Sequence, residues 1–118
     1  MELRTLLWWV LFLSYAGLIF WLSDSPLPQG VPFIELPGAD RAYHFFEYGL
    51  LAFLGLQAFS PATRRQSWKV LALCWLYGLS DEIHQLWVPG RSADVLDWLI
   101  DGLGVFTVGL LWMRWHWL

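Results

Sequence analysis

The chain has 118 residues, of which 58% are hydrophobic and 14% charged, and its formal net charge is -3. Soluble domains carry about 45–50% apolar and about 25% charged residues, so this composition favours an integral membrane protein. The small charge, with no basic stripe, argues against a nucleic-acid partner, and the single cysteine, Cys74, excludes an intrachain disulfide. At this length we expect one domain over residues 1–118.

The first predicted element is an uncharged run over residues 5–22. A helix rises about 1.5 Å per residue, so this run spans about 27 Å, close to the thickness of the hydrocarbon core. A cleaved signal peptide also has a basic start, but this run is long for one and residues 23–26 are a poor cleavage site. We therefore interpret the run as a membrane span.

The rest of the chain predicts three more spans. Residues 23–40 hold four prolines and two glycines, which predicts a loop because proline removes a backbone donor and fixes φ. The later spans are expected over residues 41–59, 68–88 and 94–115, joined by a loop at 60–67 and a turn at 89–92. Each is polar at one end and apolar all round at the other, whereas a soluble bundle would show full-length polar stripes. The predicted fold is an all-α bundle of four transmembrane helices.

The basic residues predict how the bundle is oriented. If four spans alternate in direction, one face receives Arg4, Arg64, Arg65, Lys69 and Arg114. Lys and Arg near short loops mark the cytoplasmic side of a membrane. Both termini are therefore expected in the cytoplasm, and the polar ends of the last three spans all fall on the outer side.

These three polar ends show helical spacing. The second span carries a stripe of Asp40, His44, Glu47 and Tyr48, and the fourth carries Asp94, Asp97 and Asp101. On the third span, a broad arc that we expect to face two neighbouring helices holds Asp81, Glu82, His84 and Gln85. All lie within about two turns of a helix end, so we expect one composite site with side-chain tips mostly within about 10 Å.

The site is rich in acids, which requires protonation, water or a bound cation. Oxygen-rich sites suit Mg, Mn or Ca, and no zinc spacing such as HExxH is present. The candidate metal ligands are Asp81, Glu82, His84, Asp97 and Asp101. The candidate catalytic residues are His44 or Glu82 as a base, with Asp97 and Asp101 orienting a metal or a water. The candidate substrate-binding residues are Asp40, Arg41, Glu47, Tyr48, Gln85, Arg91 and Asp94.

Four of these candidates have an alternative explanation. His44 taken alone could be a buried histidine bonded to Asp40 at i−4, although Glu47 and Tyr48 on the same stripe favour a functional role. Arg41 and Arg91 would hold an anionic headgroup, but an arginine in a Pro-Gly turn, such as Arg91, is often simply solvated. Asp94 precedes the fourth span and is equally suited to cap its helix. Tyr48 suits packing as well as binding.

Three motifs carry a family resemblance: residues 40–48 (DRAYHFFEY), residues 81–85 (DEIHQ) and residues 89–94 (PGRSAD), continuing to Asp97, Asp101 and Gly104. Together they resemble the VanZ-like family of small bacterial membrane proteins. The resemblance implies a multi-span helical protein of the cytoplasmic (inner) membrane. The family's named member is associated with resistance to teicoplanin, a glycopeptide antibiotic that carries a fatty acyl chain.

Two functions are compatible with these observations. One is an enzyme that acts on an envelope lipid or lipid-linked headgroup, by hydrolysis or transfer of a phosphoester. The other is a non-catalytic module that binds an ion or a lipid, or a subunit of a larger envelope complex. A transporter is disfavoured because no span has a helix break at mid-membrane. The oligomeric state is left open.

Overall fold

The computed structural model describes residues 1–24, 38–90 and 93–117. Within these ranges the chain forms four α-helices and no strand: α1 (Leu3–Ser23), α2 (Ala39–Phe59), α3 (Arg64–Gln85) and α4 (Val95–His116). The predicted all-α class is confirmed, and each helix coincides with a predicted span. The third helix differs most, because it begins and ends several residues earlier than expected.

Side-chain caps explain where α3 and α4 begin. The Thr63 hydroxyl accepts a hydrogen bond from the Gln66 amide (3.1 Å), and the Gln66 side chain accepts one from the Ala62 amide (2.8 Å). This is a variant of the capping box, and it turns residues expected to form a loop into the first turn of α3. The Asp94 carboxylate accepts from the Leu96 amide (2.9 Å), which confirms that Asp94 caps α4.

The helix α2 is the centre of the bundle, since it packs extensively against all three other helices, whereas α3 meets α1 over only a small area. In the described residues, no Cα atom of α1 lies within 8 Å of a Cα atom of α4. The closest approach between α2 and α4 requires glycine: a Cβ at Gly104 would collide with the Phe45 carbonyl and lie 3.2 Å from the Gly49 amide nitrogen. Small residues at such positions let helix backbones pack closely.

Polar and apolar side chains are distributed in the opposite way to those of a soluble bundle. Large apolar side chains are exposed on every helix, including Val10, Leu50, Leu76 and Leu110. Buried charged and polar groups gather inside the bundle instead. The helices α1 and α4 are each long and apolar enough to cross a membrane, by length and composition. An apolar exterior of this kind is suited to contact with lipid or a partner.

Candidate functional site

The centre of the site is a hydrogen bond between α2 and α4. His44 Nδ1 lies 2.7 Å from Asp101 Oδ1, and the two residues are 4% and 0% exposed. An ionised carboxylate only accepts hydrogen bonds, so where Asp101 is ionised the hydrogen of this contact is on Nδ1. Asp101 therefore orients the ring and leaves Nε2 as the nitrogen that can accept a proton or bind a metal.

His44 Nε2 faces a second carboxylate, because Asp97 Oδ2 lies 3.8 Å away. Two groups of closely spaced ligand atoms share this histidine, one with Asp40 and Asp97 and one with Glu82 and Asp101; within each group the atoms lie within 4.8 Å of one another. The 2.7 Å contact is a hydrogen-bond distance. The 3.8 Å separation instead suits two ligands that each lie about 2–2.6 Å from one ion. The group with Asp40 and Asp97 is thus the better candidate metal centre.

The predicted metal ligands are only partly among these groups. Glu82, Asp97 and Asp101 belong to them, but within the described residues Asp81 and His84 do not. Asp40 and His44, predicted as substrate-binding and catalytic residues, belong to these groups as well. The sequence predicted which helix ends carry the polar residues, but not which side chains of different helices lie next to each other.

Several buried carboxylate oxygens in this region have no hydrogen-bond partner among the described residues. They are Glu47 Oε2, Asp81 Oδ1, Glu82 Oε1 and Asp101 Oδ2. An unpaired polar atom in the interior costs free energy unless a proton, a water molecule or a cation satisfies it. Each of these four oxygens is therefore a position where a proton, a water molecule or a cation would lower the free energy of the bundle.

Hydrogen bonds of Glu82 and Tyr48 connect α3 to α4 and to α2. The other carboxylate oxygen of Glu82 accepts a hydrogen bond from the Asp94 amide at the start of α4 (3.0 Å). The hydroxyl of Tyr48, on α2, donates to Asp81 Oδ2 (3.1 Å), and Tyr48 is fully buried. Gly78 makes room for this arrangement, since a Cβ there would lie 3.1 Å from Asp101 Oδ2. Gly78 was not among the predicted residues, because its importance depends on which helices meet it.

His84 lies away from the cluster. Its Nε2 is 2.9 Å from Asp24 Oδ1, at the end of α1, and its ring packs on Phe20 with centroids 4.7 Å apart. The arc on α3 therefore contacts the two expected neighbours, α2 through Asp81 and the start of α4 through Glu82, and also contacts α1 through His84. This geometry gives His84 a contact with α1 rather than with the central carboxylates.

The remaining candidates lie around the cluster. Glu47 and Gln85 are buried, whereas Asp40, Arg41 and Asp94 are exposed at the starts of α2 and α4. Arg91 lies outside the described residues. Arg41 is exposed in the first turn of α2, one turn before His44, so its guanidinium is accessible to a ligand.

The fold and the site together define a class of protein. Two apolar helices, an apolar exterior and a buried cluster of acids with one histidine indicate a membrane protein with an internal polar site. The model of the VanZ/LLP1 family matches residues 6–116, nearly the whole chain, and the chain belongs to this family. The resemblance inferred from the three motifs is confirmed. Comparison with curated proteins and with solved structures gives no match.

Proposed function

We propose that the protein spans the bacterial cytoplasmic membrane four times, with both termini inside. Arg64 Nη2 donates to the Trp117 carbonyl (2.9 Å), so the start of α3 and the end of α4 lie at one end of the bundle. Arg4, at the start of α1, lines cavities that also include Pro61 and His116, which places it at the same end. This basic end is suited to the cytoplasmic side, and the acid–histidine cluster then opens outward.

In this orientation, we propose, the cluster hydrolyses or transfers a phosphoester on an envelope lipid or a lipid-linked headgroup. The observation that carries this proposal is the buried Asp101–His44 pair, whose second ring nitrogen faces Asp97. His44 Nε2 would take a proton from water or from an acceptor hydroxyl, whose oxygen attacks phosphorus. The bond from phosphorus to the leaving oxygen breaks, and His44 returns the proton to that oxygen. Asp101 would stabilise the transient imidazolium.

A divalent ion is an alternative use of the same geometry. His44 Nε2 would then be a ligand and could not accept a proton, so Glu82 would be the base. Asp40, His44 and Asp97 offer two oxygens and one nitrogen, a donor set compatible with Mn or Mg. Such an ion would polarise the phosphoryl oxygens and offset their charge beside the carboxylates. Arg41 and Arg91 would supply further positive charge for the headgroup. An envelope-lipid substrate is also compatible with the association of the family's named member with teicoplanin resistance.

The test uses purified full-length protein and a lipid extract from a bacterial envelope, with and without added Mn or Mg. Phosphorus NMR of the extract should show a new phosphorus species, or loss of one, with the wild-type protein. Asp101→Asn should form product about 10²–10⁴-fold more slowly, whereas His84→Ala should behave as the wild type because His84 pairs with Asp24 instead. An unchanged spectrum with the wild-type protein at every metal concentration would overturn the enzymatic proposal.

The unpaired buried oxygens favour a second candidate function. Four carboxylate oxygens without partners among the described residues suit a site that holds an ion permanently. In that case the protein is a non-catalytic ion- or lipid-binding module, or a subunit of a larger envelope complex. Turnover of the lipid phosphate distinguishes the two functions. The second function predicts an ion or a lipid bound to the purified protein and an unchanged phosphorus spectrum of the extract.

A further inference from the structure

A groove opens at the end of the bundle opposite the acid–histidine cluster. It lies between α1 and α4, with α2 as its floor, and encloses a cavity of about 520 Å³. The groove exists because α1 and α4 pack on α2 without their backbones meeting. Measured along α2 at about 1.5 Å per residue, its floor residue Gln57 is about 20 Å from His44.

The groove is apolar along its length and polar at its end. Phe53, Leu111 and Trp115 line the apolar part, and Arg4, Gln57 and His116 line the polar part. Leu111 and Trp115 are 64% and 85% exposed, so the apolar wall is open from the side. A cavity with one charged end and open apolar walls has the shape of a phospholipid headgroup joined to its acyl chains.

The polar end presents hydrogen-bond donors. Gln57 Oε1 accepts from the Trp112 indole (3.0 Å), which leaves the amide NH₂ of Gln57 to donate. His116 Nδ1 donates to the Trp112 carbonyl (2.9 Å), and its ring stacks on Trp112 at 3.8 Å between centroids. These contacts fix both side chains before any ligand binds, which lowers the entropy cost of binding.

Arg4 supplies the charge. It makes no ion pair within the described part of the chain, where the ion pairs involve His44 and His84. An adjoining cavity of about 340 Å³ shares Arg4, Gln57 and His116, and Glu2 is the acid among its described lining residues. A guanidinium without an internal carboxylate partner is suited to a phosphate, which it binds through two parallel hydrogen bonds.

We propose that this groove binds one anionic phospholipid of the inner leaflet. Its phosphate contacts Arg4 and the amide of Gln57, and one acyl chain lies along Phe53 and Leu111. The proposal rests on the four-span orientation given above, but not on any reaction at the acid–histidine cluster. The bound lipid would fill the space between α1 and α4 and so stabilise the position of α1.

Native mass spectrometry of the full chain in detergent tests the proposal. The probes are dioleoylphosphatidylglycerol and dioleoylphosphatidylcholine, which differ in headgroup charge but not in acyl chains. The wild-type protein should retain the anionic lipid preferentially. Arg4→Gln should lower that preference about fivefold, the effect of one arginine near a lipid phosphate. The matched control is Arg65→Gln, which removes an exposed arginine outside the groove and should leave the preference unchanged.

Three results would overturn the proposal: equal retention of the two lipids, equal loss in Arg4→Gln and Arg65→Gln, or displacement of the lipid by inorganic phosphate. The first shows no recognition of charge, the second shows diffuse attraction, and the third shows a site for free phosphate. Asp101→Asn should bind the lipid as the wild type does. That variant separates this proposal from the catalytic one, because it should lose turnover and keep the lipid.

Discussion

His44 and Asp101, which are 57 residues apart in the sequence, form a 2.7 Å hydrogen bond in the interior of the bundle. The bond connects the second turn of α2 to the second turn of α4. At the other end of the same two helices, Gln57 accepts a hydrogen bond from Trp112. The two contacts show that α2 and α4 run in the same direction, as alternating spans require, and they fix the relative depth of the two helices.

The first prediction concerns Asp101→Asn. Asparagine has nearly the same size, so we expect the protein to keep its helical content and its thermal unfolding temperature within a few degrees. Because the neutral amide no longer stabilises a protonated His44, turnover of the lipid phosphate should fall about 10²–10⁴-fold. Circular dichroism and phosphorus NMR measure the two effects separately. Loss of the fold together with loss of turnover would instead identify Asp101 as a structural residue.

A second prediction uses two glycines as a matched pair. Gly104→Ala should lower the stability by about 1–3 kcal/mol, since its Cβ would collide with the Phe45 carbonyl. Gly17→Ala should raise it by up to about 1 kcal/mol, because nothing lies within 4 Å of that position and alanine favours a helix. Unfolding of both variants in the same detergent gives the comparison. Equal effects of the two substitutions would show that the α2–α4 contact is not tight.

The helical spacing of the acids predicted much of the cluster from the sequence. Periodicity places Asp40 with His44, and Asp97 with Asp101, on single faces near helix ends. Burial of charge is costly, so those faces were expected to turn inward towards each other. His44, Asp97 and Asp101 are buried in the structure, whereas Asp40 is exposed at the start of α2. The reasoning used only properties of individual helices, which is why it worked for these residues.

Contacts between helices were harder to predict from the sequence. His84 has the same spacing as the cluster residues of α3, yet it bonds to Asp24 because α1 packs on that edge of α3. Gly78 matters only because Tyr48 and Asp101 meet above it. Such details depend on the rotation of each helix about its axis, and single-helix periodicity does not determine rotation. The early start of α3, by contrast, could have been predicted from the sequence, since Thr63 and Gln66 form a recognisable capping signature.

The third prediction concerns topology. A reporter fused after Leu118 should be active only in the cytoplasm, because Arg64 and Trp117 hold the basic ends of α3 and α4 together. A second fusion in the 25–37 connection should report the outer side. An externally active reporter after Leu118 would contradict the four-span orientation and would also place the Arg4 groove in the wrong leaflet.

The last prediction concerns the metal. We expect Mn²⁺ to bind the purified protein, with a bound signal in electron paramagnetic resonance, through His44 Nε2 and the carboxylates of Asp40 and Asp97. Asp97→Asn should weaken binding at least about tenfold, because hard divalent ions favour charged oxygen ligands. His84→Ala is the matched control. It also removes an imidazole from this end of the bundle, but that imidazole pairs with Asp24, so the affinity for Mn²⁺ should not change. If His84→Ala weakened binding as much as Asp97→Asn, the ion would lie nearer the ligand set predicted from the sequence. If neither variant altered binding, the ion would be held elsewhere, and the 3.8 Å spacing of His44 and Asp97 would serve the proton transfer alone.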